Sequence, residues 1–216
     1  MTIKVVIFDF DGTVADTFDA LVTISNSLAP EFGYLPATRE DIPKIKDLTT
    51  REIIQRSGVA IYKLPFILRK VIAQLNSTIH TLSPVEGMKP ALFELKKQGN
   101  KLGIITSNDR ENVEVFLQHN GLLDLFDFIY CGTRIFGKSR VINNFLRQAN
   151  FQPGEIVYVG DETRDIEAAK KSNIKVIAVS WGFNSGNILK QQKPDFLIEH
   201  PQQLIEVIKL LQAPPS

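Results

Sequence analysis

The chain has 216 residues, of which 44% are apolar and 23% charged, and a net charge of +1 at pH 7. This length and composition predict a globular protein with a sizeable core and room for two domains. The balanced charge gives no reason to expect nucleic acid or a membrane as a partner, and no apolar run reaches the length of a membrane span. A strand predicted from Ile3 leaves no preceding segment for a signal peptide, and the lone Cys131 cannot form an internal disulfide. We therefore expect a cytoplasmic protein, with its oligomeric state left open.

The first informative segment runs from Val5 to Asp16 and reads VVIFDFDGTVAD, an apolar strand followed by two aspartates and a glycine turn. Alternation along a strand sends Asp9 and Asp11 to the same side, where the two carboxylates repel each other unless a cation or a proton relieves them. This pattern predicts a magnesium site with Asp9 as nucleophile and Asp11 as acid and base. The alternative is a strand that ends in an ordinary Asp-Gly turn.

From residue 88 onward, apolar strand-like runs alternate with amphipathic helical patterns. Such alternation is typical of an α/β fold with a parallel sheet that is covered on both faces. The predicted strands are Lys101–Thr106, Phe126–Cys131, Ile156–Gly160, Lys175–Val179 and Asp195–Ile198. The predicted helices lie near 88–99, 109–119, 138–150, 163–173 and 201–211.

Between the first strand and Gly87 the periodicity is helical only. A stretch of this length is too long for a loop in a compact fold, so we expect a separate helical domain at 16–83, inserted into a core formed by 1–15 and 84–216. Its two connections to the core, near Val14–Thr17 and His80–Gly87, are the predicted hinge.

Polar residues follow the strand that begins at Lys101, in the run Thr106, Ser107 and Asn108. Ligands of open α/β sheets bind at the carboxyl ends of the strands, and these neutral donors suit a phosphate oxygen. The alternative is that Ser107, Asn108 or the next residue, Asp109, simply caps the following helix.

Charged residues follow at two later positions. Lys138 stands at a helix start, where it could offset the charge of carboxylates and a phosphate, although a solvated lysine is the usual case. Asp161 and Glu162 follow the strand that ends at Gly160, and Asp165 lies about one helical turn beyond Asp161. This arrangement suits a magnesium ion, which needs few protein carboxylates, but an acidic first helical turn is also common.

These residues resemble, in order, the four motifs of the haloacid dehalogenase-like hydrolase superfamily. The matching segments are Asp9-Phe-Asp11-Gly-Thr13, the strand ending at Thr106, Lys138, and Gly160-Asp-Glu-Thr-Arg-Asp165. The helical insert is similar to the cap of the phosphoglycolate phosphatase and β-phosphoglucomutase-like branch. Around Lys138 the run Phe-Gly-Lys-Ser replaces the Lys-Pro-type run that is usual in that branch.

The resemblance implies a Rossmann-like sheet of strand order 3-2-1-4-5 and a Mg²⁺-dependent phosphatase that acts on a small phosphorylated metabolite, with phosphoglycolate as the leading substrate. Asp9 would form an aspartyl-phosphate, and Asp11 would protonate the leaving group and then activate water. The phosphoryl group would be held by Thr106, Ser107, Asn108 and Lys138. The metal ligands would be Asp9, the Asp11 backbone carbonyl and Asp161, with Glu162 or Asp165 in support.

Substrate identity depends on the insert. The segment 47–52 resembles a β-phosphoglucomutase-like segment whose arginine meets the far end of the substrate, so Arg51 could grip a second anionic group. Alternatively, Thr49 and Glu52 form a capping box and Arg51 faces solvent. A sugar-phosphate mutase, a non-catalytic phosphate-binding protein and a phosphonatase remain alternatives; the last would need a lysine in the insert, for which the candidates are Lys44, Lys46 and Lys63.

Overall fold

The computed structural model describes residues 2–133 and 137–212. Within them lies a six-stranded sheet in which all paired strands run parallel. Its strands are β1 (Val5–Phe8), β2 (Lys101–Ile105), β3 (Phe128–Tyr130), β4 (Ile156–Gly160), β5 (Lys175–Val179) and β6 (Phe196–Ile198), in the order β3-β2-β1-β4-β5-β6. The predicted α/β class and Rossmann-like order are confirmed, and β6 extends the sheet beyond β5.

Strand bounds agree best in the middle of the sheet, where β4 and β5 have their predicted ends. β1 begins at Val5 rather than Ile3, and β3 is shorter than predicted. At the start of β3 the side chain of Asp127 accepts a hydrogen bond from the backbone N–H of Leu102 at 2.9 Å. This side-chain contact occupies a donor that a longer strand would have paired with backbone.

Helices cover both faces of the sheet. Every residue of β1 is fully buried, as expected for a central strand between two layers of helices. The helices of this part of the chain are α5 (Met88–Lys97), α6 (Arg110–His119), α7 (Lys138–Ala149), α8 (Thr163–Lys171), α9 (Gly186–Gln191) and α10 (Gln203–Gln212). None of the helices in the described part of the chain combines the length and apolar character that a membrane crossing requires.

The insert between β1 and β2 is helical, as its periodicity predicts. It contains α1 (Phe18–Phe32), α2 (Ile42–Lys46), α3 (Thr50–Arg56) and α4 (Leu64–Asn76). Helices α1 and α4 pack against each other, and α4 buries Val71, Ile72 and Leu75. That the insert is a separate domain with a hinge stays a prediction.

The two connections of the insert to the sheet lie side by side. The backbone N–H of Asp16 donates to the carbonyl oxygen of Ser83, and that of Val85 donates to Val14, both at 3.0 Å. These paired crossings join the insert to the sheet close to the end of β1, which is where the candidate catalytic residues begin.

Candidate active site

The carboxyl ends of three strands meet at one edge of the sheet. Because β1 pairs with both β2 and β4, the residues that follow these strands are neighbours in space although they are far apart in the sequence. Asp9, Thr106 and Asp161 stand at these three ends, and each is buried. Lys138, the first residue of α7, reaches the same place.

Lys138 joins two of the predicted carboxylates. Its Nζ lies 2.5 Å from Asp9 Oδ2 and 2.6 Å from Asp165 Oδ1, and the three side chains are 1%, 3% and 0% exposed. Burial alone would lower the pKa of Lys138, but the charges of Asp165 and Asp9 outweigh it and raise that pKa. Lys138 is therefore a fixed buried cation rather than a solvated lysine.

Asp161 is fixed by two hydrogen bonds and by close packing against two glycines. Its Oδ1 accepts a hydrogen bond from the hydroxyl of Thr13, and its Oδ2 accepts one from the backbone N–H of Phe183, both at 2.7 Å. A Cβ on Gly12 or Gly182 would lie only 2.4 Å or 2.2 Å from Asp161 Oδ2. Gly12 also has a φ of 72°, so both its space and its backbone require glycine.

Three carboxylates converge on one point. Asp9, Asp161 and Asp165 each offer an oxygen, and these oxygens lie within 4.8 Å of one another. Burial, followed by the charges of Glu162 and Asp9, raises the pKa of Asp161 well above its usual value. Burial also raises the pKa of Asp165, to about 6, although Lys138 opposes the shift. Crowded, buried oxygen donors of this kind fit a hard cation such as Mg²⁺.

Asp11 faces a different set of partners. Both of its carboxylate oxygens accept hydrogen bonds from the Nδ2 of Asn108, at 3.1 Å each. The amide of Asn108 cannot turn freely, because its Oδ1 accepts from Asn112 Nδ2 at 2.9 Å and from the backbone N–H of Asp109 at 2.8 Å. Burial and the charge of Asp9 raise the pKa of Asp11 to about 7.

The hydroxyl of Thr106 is oriented by the backbone. Its Oγ1 accepts a hydrogen bond from the N–H of Asn108 at 3.0 Å, which leaves the hydroxyl hydrogen available for another acceptor. Ser107 is partly buried between these two residues. Asp109 is the N-cap residue of α6 but makes no capping hydrogen bond with its side chain.

Glu162 is engaged away from the three clustered oxygens. It accepts hydrogen bonds from Arg164 Nε at 2.9 Å and from the hydroxyl of Thr50 in the insert at 3.0 Å. Burial acts to raise the pKa of Glu162, but the positive charge of Arg164 outweighs it and lowers that pKa. Glu162 thus links the strand end at Asp161 to the insert.

Arg51 contacts the outer side of α8. Its side chain is 64% exposed, and its nearest guanidinium nitrogen lies 3.3 Å from Glu167 Oε2. The capping box of Thr49 and Glu52 is present at the start of α3, as the sequence predicts. Of the candidate lysines, Lys46 donates to the carbonyl oxygen of Gly182 at 2.8 Å, which brings its amine beside the loop that holds Asp161.

That loop, Gly182–Ser185, was not among the residues predicted from the sequence. It follows β5, so the rule that ligands bind at the carboxyl ends of strands also applies to it. The available signal is the glycine three residues beyond the apolar run that ends at Val179, followed by Asn184 and Ser185. Its contacts with Asp161 come from residues about twenty positions away, which no local pattern reveals.

The chain is similar to a known family and to several known proteins over most of its length. Residues 6–179 match the family model described as haloacid dehalogenase-like hydrolase. A phosphoglycolate phosphatase from Synechococcus elongatus is 37% identical over 208 residues, which cover 96% of this chain and 98% of that protein. The pyrophosphatase PpaX from Bacillus cereus is 28% identical over 220 residues, which cover 96% of this chain and 97% of that one.

Solved structures share the fold. The crystal structure of a predicted phosphatase from Clostridium acetobutylicum superposes with a TM-score of 0.82 at 20% identity, and the match covers 97% of this chain and all (100%) of that one. The family model covers most of the chain, which confirms the predicted resemblance to this family. The chain belongs to the haloacid dehalogenase-like hydrolase family and is an enzyme of that family.

Proposed function

We propose that this enzyme is a Mg²⁺-dependent phosphatase of small phosphorylated metabolites that works through an aspartyl-phosphate, with phosphoglycolate as its leading substrate. The observation that carries the proposal is the buried ion pair of Lys138 with Asp9 and Asp165, directly beside Asp161. In such a group the ammonium of Lys138 orients the nucleophilic carboxylate and offsets negative charge in a place from which water is largely excluded. The phosphoglycolate phosphatase from Synechococcus elongatus, 37% identical, supports the substrate.

In the first step a carboxylate oxygen of Asp9 attacks phosphorus, and the bond between phosphorus and the ester oxygen breaks. Asp11 gives its proton to the leaving oxygen. In the second step Asp11 takes a proton from a water molecule whose oxygen attacks phosphorus, which releases phosphate and restores the Asp9 carboxylate. The Asn108 amide is consistent with proton transfer by Asp11, because it holds Asp11 at both oxygens without adding a charge.

The phosphoryl group would be bound by Thr106, Ser107 and Lys138, with Asn108 close by. Thr106 suits this role, because its hydroxyl oxygen already accepts a hydrogen bond and its hydrogen remains to donate. Asp9, the Asp11 carbonyl and Asp161 would hold Mg²⁺, with Asp165 or Glu162 in support. The bound ion would neutralise the charge that the phosphoryl oxygens and these carboxylates bring together.

We further propose that residues 16–83 form a cap domain over a core of 1–15 and 84–216, and that its closure excludes water and contributes the contacts to the far end of the substrate. Arg51 remains the candidate for a second anionic group. Pyrophosphate is a second candidate substrate because of the relative PpaX. A phosphonatase reaction would require a lysine such as Lys46, and the position of its amine near the Asp161 loop makes that lysine worth testing.

The test is a release assay for phosphate across a metabolite panel that includes phosphoglycolate, pyrophosphate, sugar phosphates and a phosphonate. We expect turnover that disappears with chelator and returns with Mg²⁺. Asp9→Asn should lose essentially all turnover while remaining folded, because an amide of similar shape occupies the same position. Full activity in excess chelator, or in Asp9→Asn, would contradict the mechanism, and binding of phosphate esters without turnover would indicate a non-catalytic protein.

A further inference from the structure

The loop Gly182–Ser185, between β5 and α9, contacts the Asp161 end of the site on one side and the insert on the other. We propose that Asn184 is a positioning residue that couples the docking of the insert to the geometry of Asp161. The inference rests on the proposed function in one respect, namely that Asp161 is a Mg²⁺ ligand. It goes beyond that function because it assigns a role to a residue outside the four motifs.

On the side of the site, the loop holds Asp161 by both its side chain and its backbone. The N–H of Phe183 donates to Asp161 Oδ2 at 2.7 Å, and the N–H of Asn184 donates to the Asp161 carbonyl oxygen at 3.2 Å. The Oδ1 of Asn184 accepts from the N–H of Thr163, the first residue of α8, at 2.9 Å. Asn184 is only 3% exposed.

On the side of the insert, the same side chain donates to backbone carbonyl oxygens. The Nδ2 of Asn184 lies 2.9 Å from the oxygen of Leu48 and 3.2 Å from that of Lys46. The N–H of Ser185 also donates to Lys46, at 2.9 Å, and Lys46 Nζ donates back to Gly182 at 2.8 Å. The segment from Lys46 to Leu48 is thus attached to this loop at several points.

The amide of Asn184 uses its two ends for different partners, so it cannot flip without losing both sets of hydrogen bonds. When the insert moves away, Nδ2 loses its acceptors at a buried position. The loop then keeps its hydrogen bonds to Asp161 and Thr163 but loses those to residues 46–48. Because the same loop supplies the N–H that orients Asp161, displacement of the insert should loosen Asp161. The coupling is reciprocal, so a cation bound at Asp161 should favour the docked position of residues 46–48.

The experiment measures Mg²⁺ binding and insert docking without substrate. Trp181 is the only tryptophan of the chain, and its Nε1 lies 3.2 Å from the Thr13 carbonyl oxygen, so its fluorescence reports on this loop during a Mg²⁺ titration. Hydrogen exchange of residues 46–50 reports on docking. In the wild type, Mg²⁺ should slow that exchange. In Asn184→Ala, Mg²⁺ should bind about 3- to 10-fold more weakly, the scale of one or two lost hydrogen bonds, and should no longer slow the exchange.

Asn120→Ala is the matched control. Asn120 also donates an amide hydrogen bond to the insert, to the Leu82 carbonyl oxygen at 3.2 Å, but at the connection to the sheet rather than beside Asp161. Its Mg²⁺ affinity should stay within about twofold of the wild type, because the loss of one hydrogen bond there affects stability and not the Asp161 loop. Lys46→Met removes the amine that donates to Gly182 but keeps the aliphatic stem, and it should weaken Mg²⁺ binding in the same direction as Asn184→Ala.

The variants separate this inference from the proposed function. If Asn184→Ala does not fold, Lys46→Met and the exchange response of residues 46–50 decide the question. Wild-type Mg²⁺ affinity and an unchanged exchange response in the folded variants would overturn the coupling, even in an active phosphatase. Weakened binding in the variants together with no turnover on any phosphate ester would support the coupling and reject the phosphatase.

Discussion

Asn108 and Asn112 form a pair of amides, one turn apart on the chain, that joins Asp11 to the insert. Asn112 is fully buried, and its Nδ2 donates both to Asn108 Oδ1 and to the carbonyl oxygen of Ile72 in α4. The sequence predicted Asn108 as a site residue from its place after a strand. It could not indicate that the side chain turns to Asp11, because that orientation depends on which of several nearby donors and acceptors is reached after packing.

The first prediction concerns the proton that Asp11 supplies. Asp11→Asn should reduce single-turnover phosphorylation of Asp9 far more for an alkyl phosphate than for p-nitrophenyl phosphate, because a poor leaving group needs the acid most. Rapid-quench measurement of the phosphorylated enzyme tests this. Equal losses for both esters would show that Asp11 acts by charge or position and not as the acid.

The second prediction concerns Arg51 and uses its partner Glu167 as the control. If Arg51 leaves Glu167 to bind the second anionic group of the substrate, Arg51→Ala should lower kcat/KM roughly 10- to 100-fold, as expected for a charge-assisted contact of about 1.5–3 kcal/mol. Glu167→Gln breaks the same ion pair but keeps the arginine, so its kcat/KM should stay near that of the wild type.

Two outcomes would change this reading of Arg51. Equal losses in Arg51→Ala and Glu167→Gln would mean that the ion pair serves docking of the insert on α8. No loss in either variant would mean that Arg51 does not recognise the substrate and pairs with Glu167 at the surface.

At the scale of elements, the two outermost strands of the sheet, β3 and β6, begin in the same way. Asp127, just before β3, accepts from the N–H of Leu102 in the neighbouring β2, and Asp195, just before β6, accepts from the N–H of Val176 in β5, both at 2.9 Å. A lysine lies beside each aspartate, Lys96 at 2.6 Å from Asp127 and Lys175 at 3.1 Å from Asp195. Each edge strand thus begins where a side chain satisfies a donor of the adjacent strand.

The third prediction follows for Asp127. Its carboxylate is partly buried, which acts to raise its pKa, but Lys96 and the N–H of Leu102 outweigh burial and lower it. A lowered pKa stabilises the fold above the unfolded-state value of about 3.9, and this contribution is lost as the pH falls through the folded-state pKa. Asp127→Asn should therefore lower the free energy of unfolding by roughly 0.5 kcal/mol at pH 7, because solvent screens a pair whose side chains are each 32% exposed. In urea titrations the difference from wild type should persist down to about pH 5 and shrink below about pH 4; a difference independent of pH would exclude the ionic contribution.

The strand bounds show which structural features the sequence pattern can predict and which it cannot. Buried strands such as β4 and β5 were predicted with their bounds, because a continuous apolar run between turn residues has few other solutions in an alternating α/β chain. The short edge strand β3 was predicted too long, since its start depends on the contact of Asp127 with Leu102, twenty-five positions away. The same limit applies to the loop Gly182–Ser185, whose importance lies in its contacts with Asp161 and the insert.

At the scale of the whole molecule, negative charge is concentrated at the carboxyl ends of the central strands, where a stable core would normally be apolar. Asp9, Asp161 and Asp165 are buried together, and Lys138 pairs with only two of them. Repulsion among buried carboxylates costs stability, which a bound cation would recover. The proposed Mg²⁺ site therefore lowers the stability of the metal-free protein, as functional sites often do.

The last prediction tests this cost. Asp161→Asn should raise the free energy of unfolding of the Mg²⁺-free protein by about 1 kcal/mol or more, because a neutral amide replaces a crowded carboxylate. The new amide can keep both hydrogen bonds, since its oxygen accepts from the N–H of Phe183 and the Thr13 hydroxyl can turn to accept from its nitrogen. Because the fold raises the pKa of Asp161, the gain should be present at neutral pH and should disappear as the pH falls below the unfolded-state value of about 3.9, where the carboxyl is protonated in both states. Thermal unfolding with and without Mg²⁺ measures both effects, and the increase in Tm caused by Mg²⁺ should shrink in the variant. Asp165→Asn is the contrasting control. Burial raises the pKa of Asp165 as well, but Asp165 is paired with Lys138, and its neutralisation leaves that buried ammonium with one partner fewer, so this variant should be less stable than the wild type. A loss of stability in both variants would show that these carboxylates stabilise the fold rather than destabilise it.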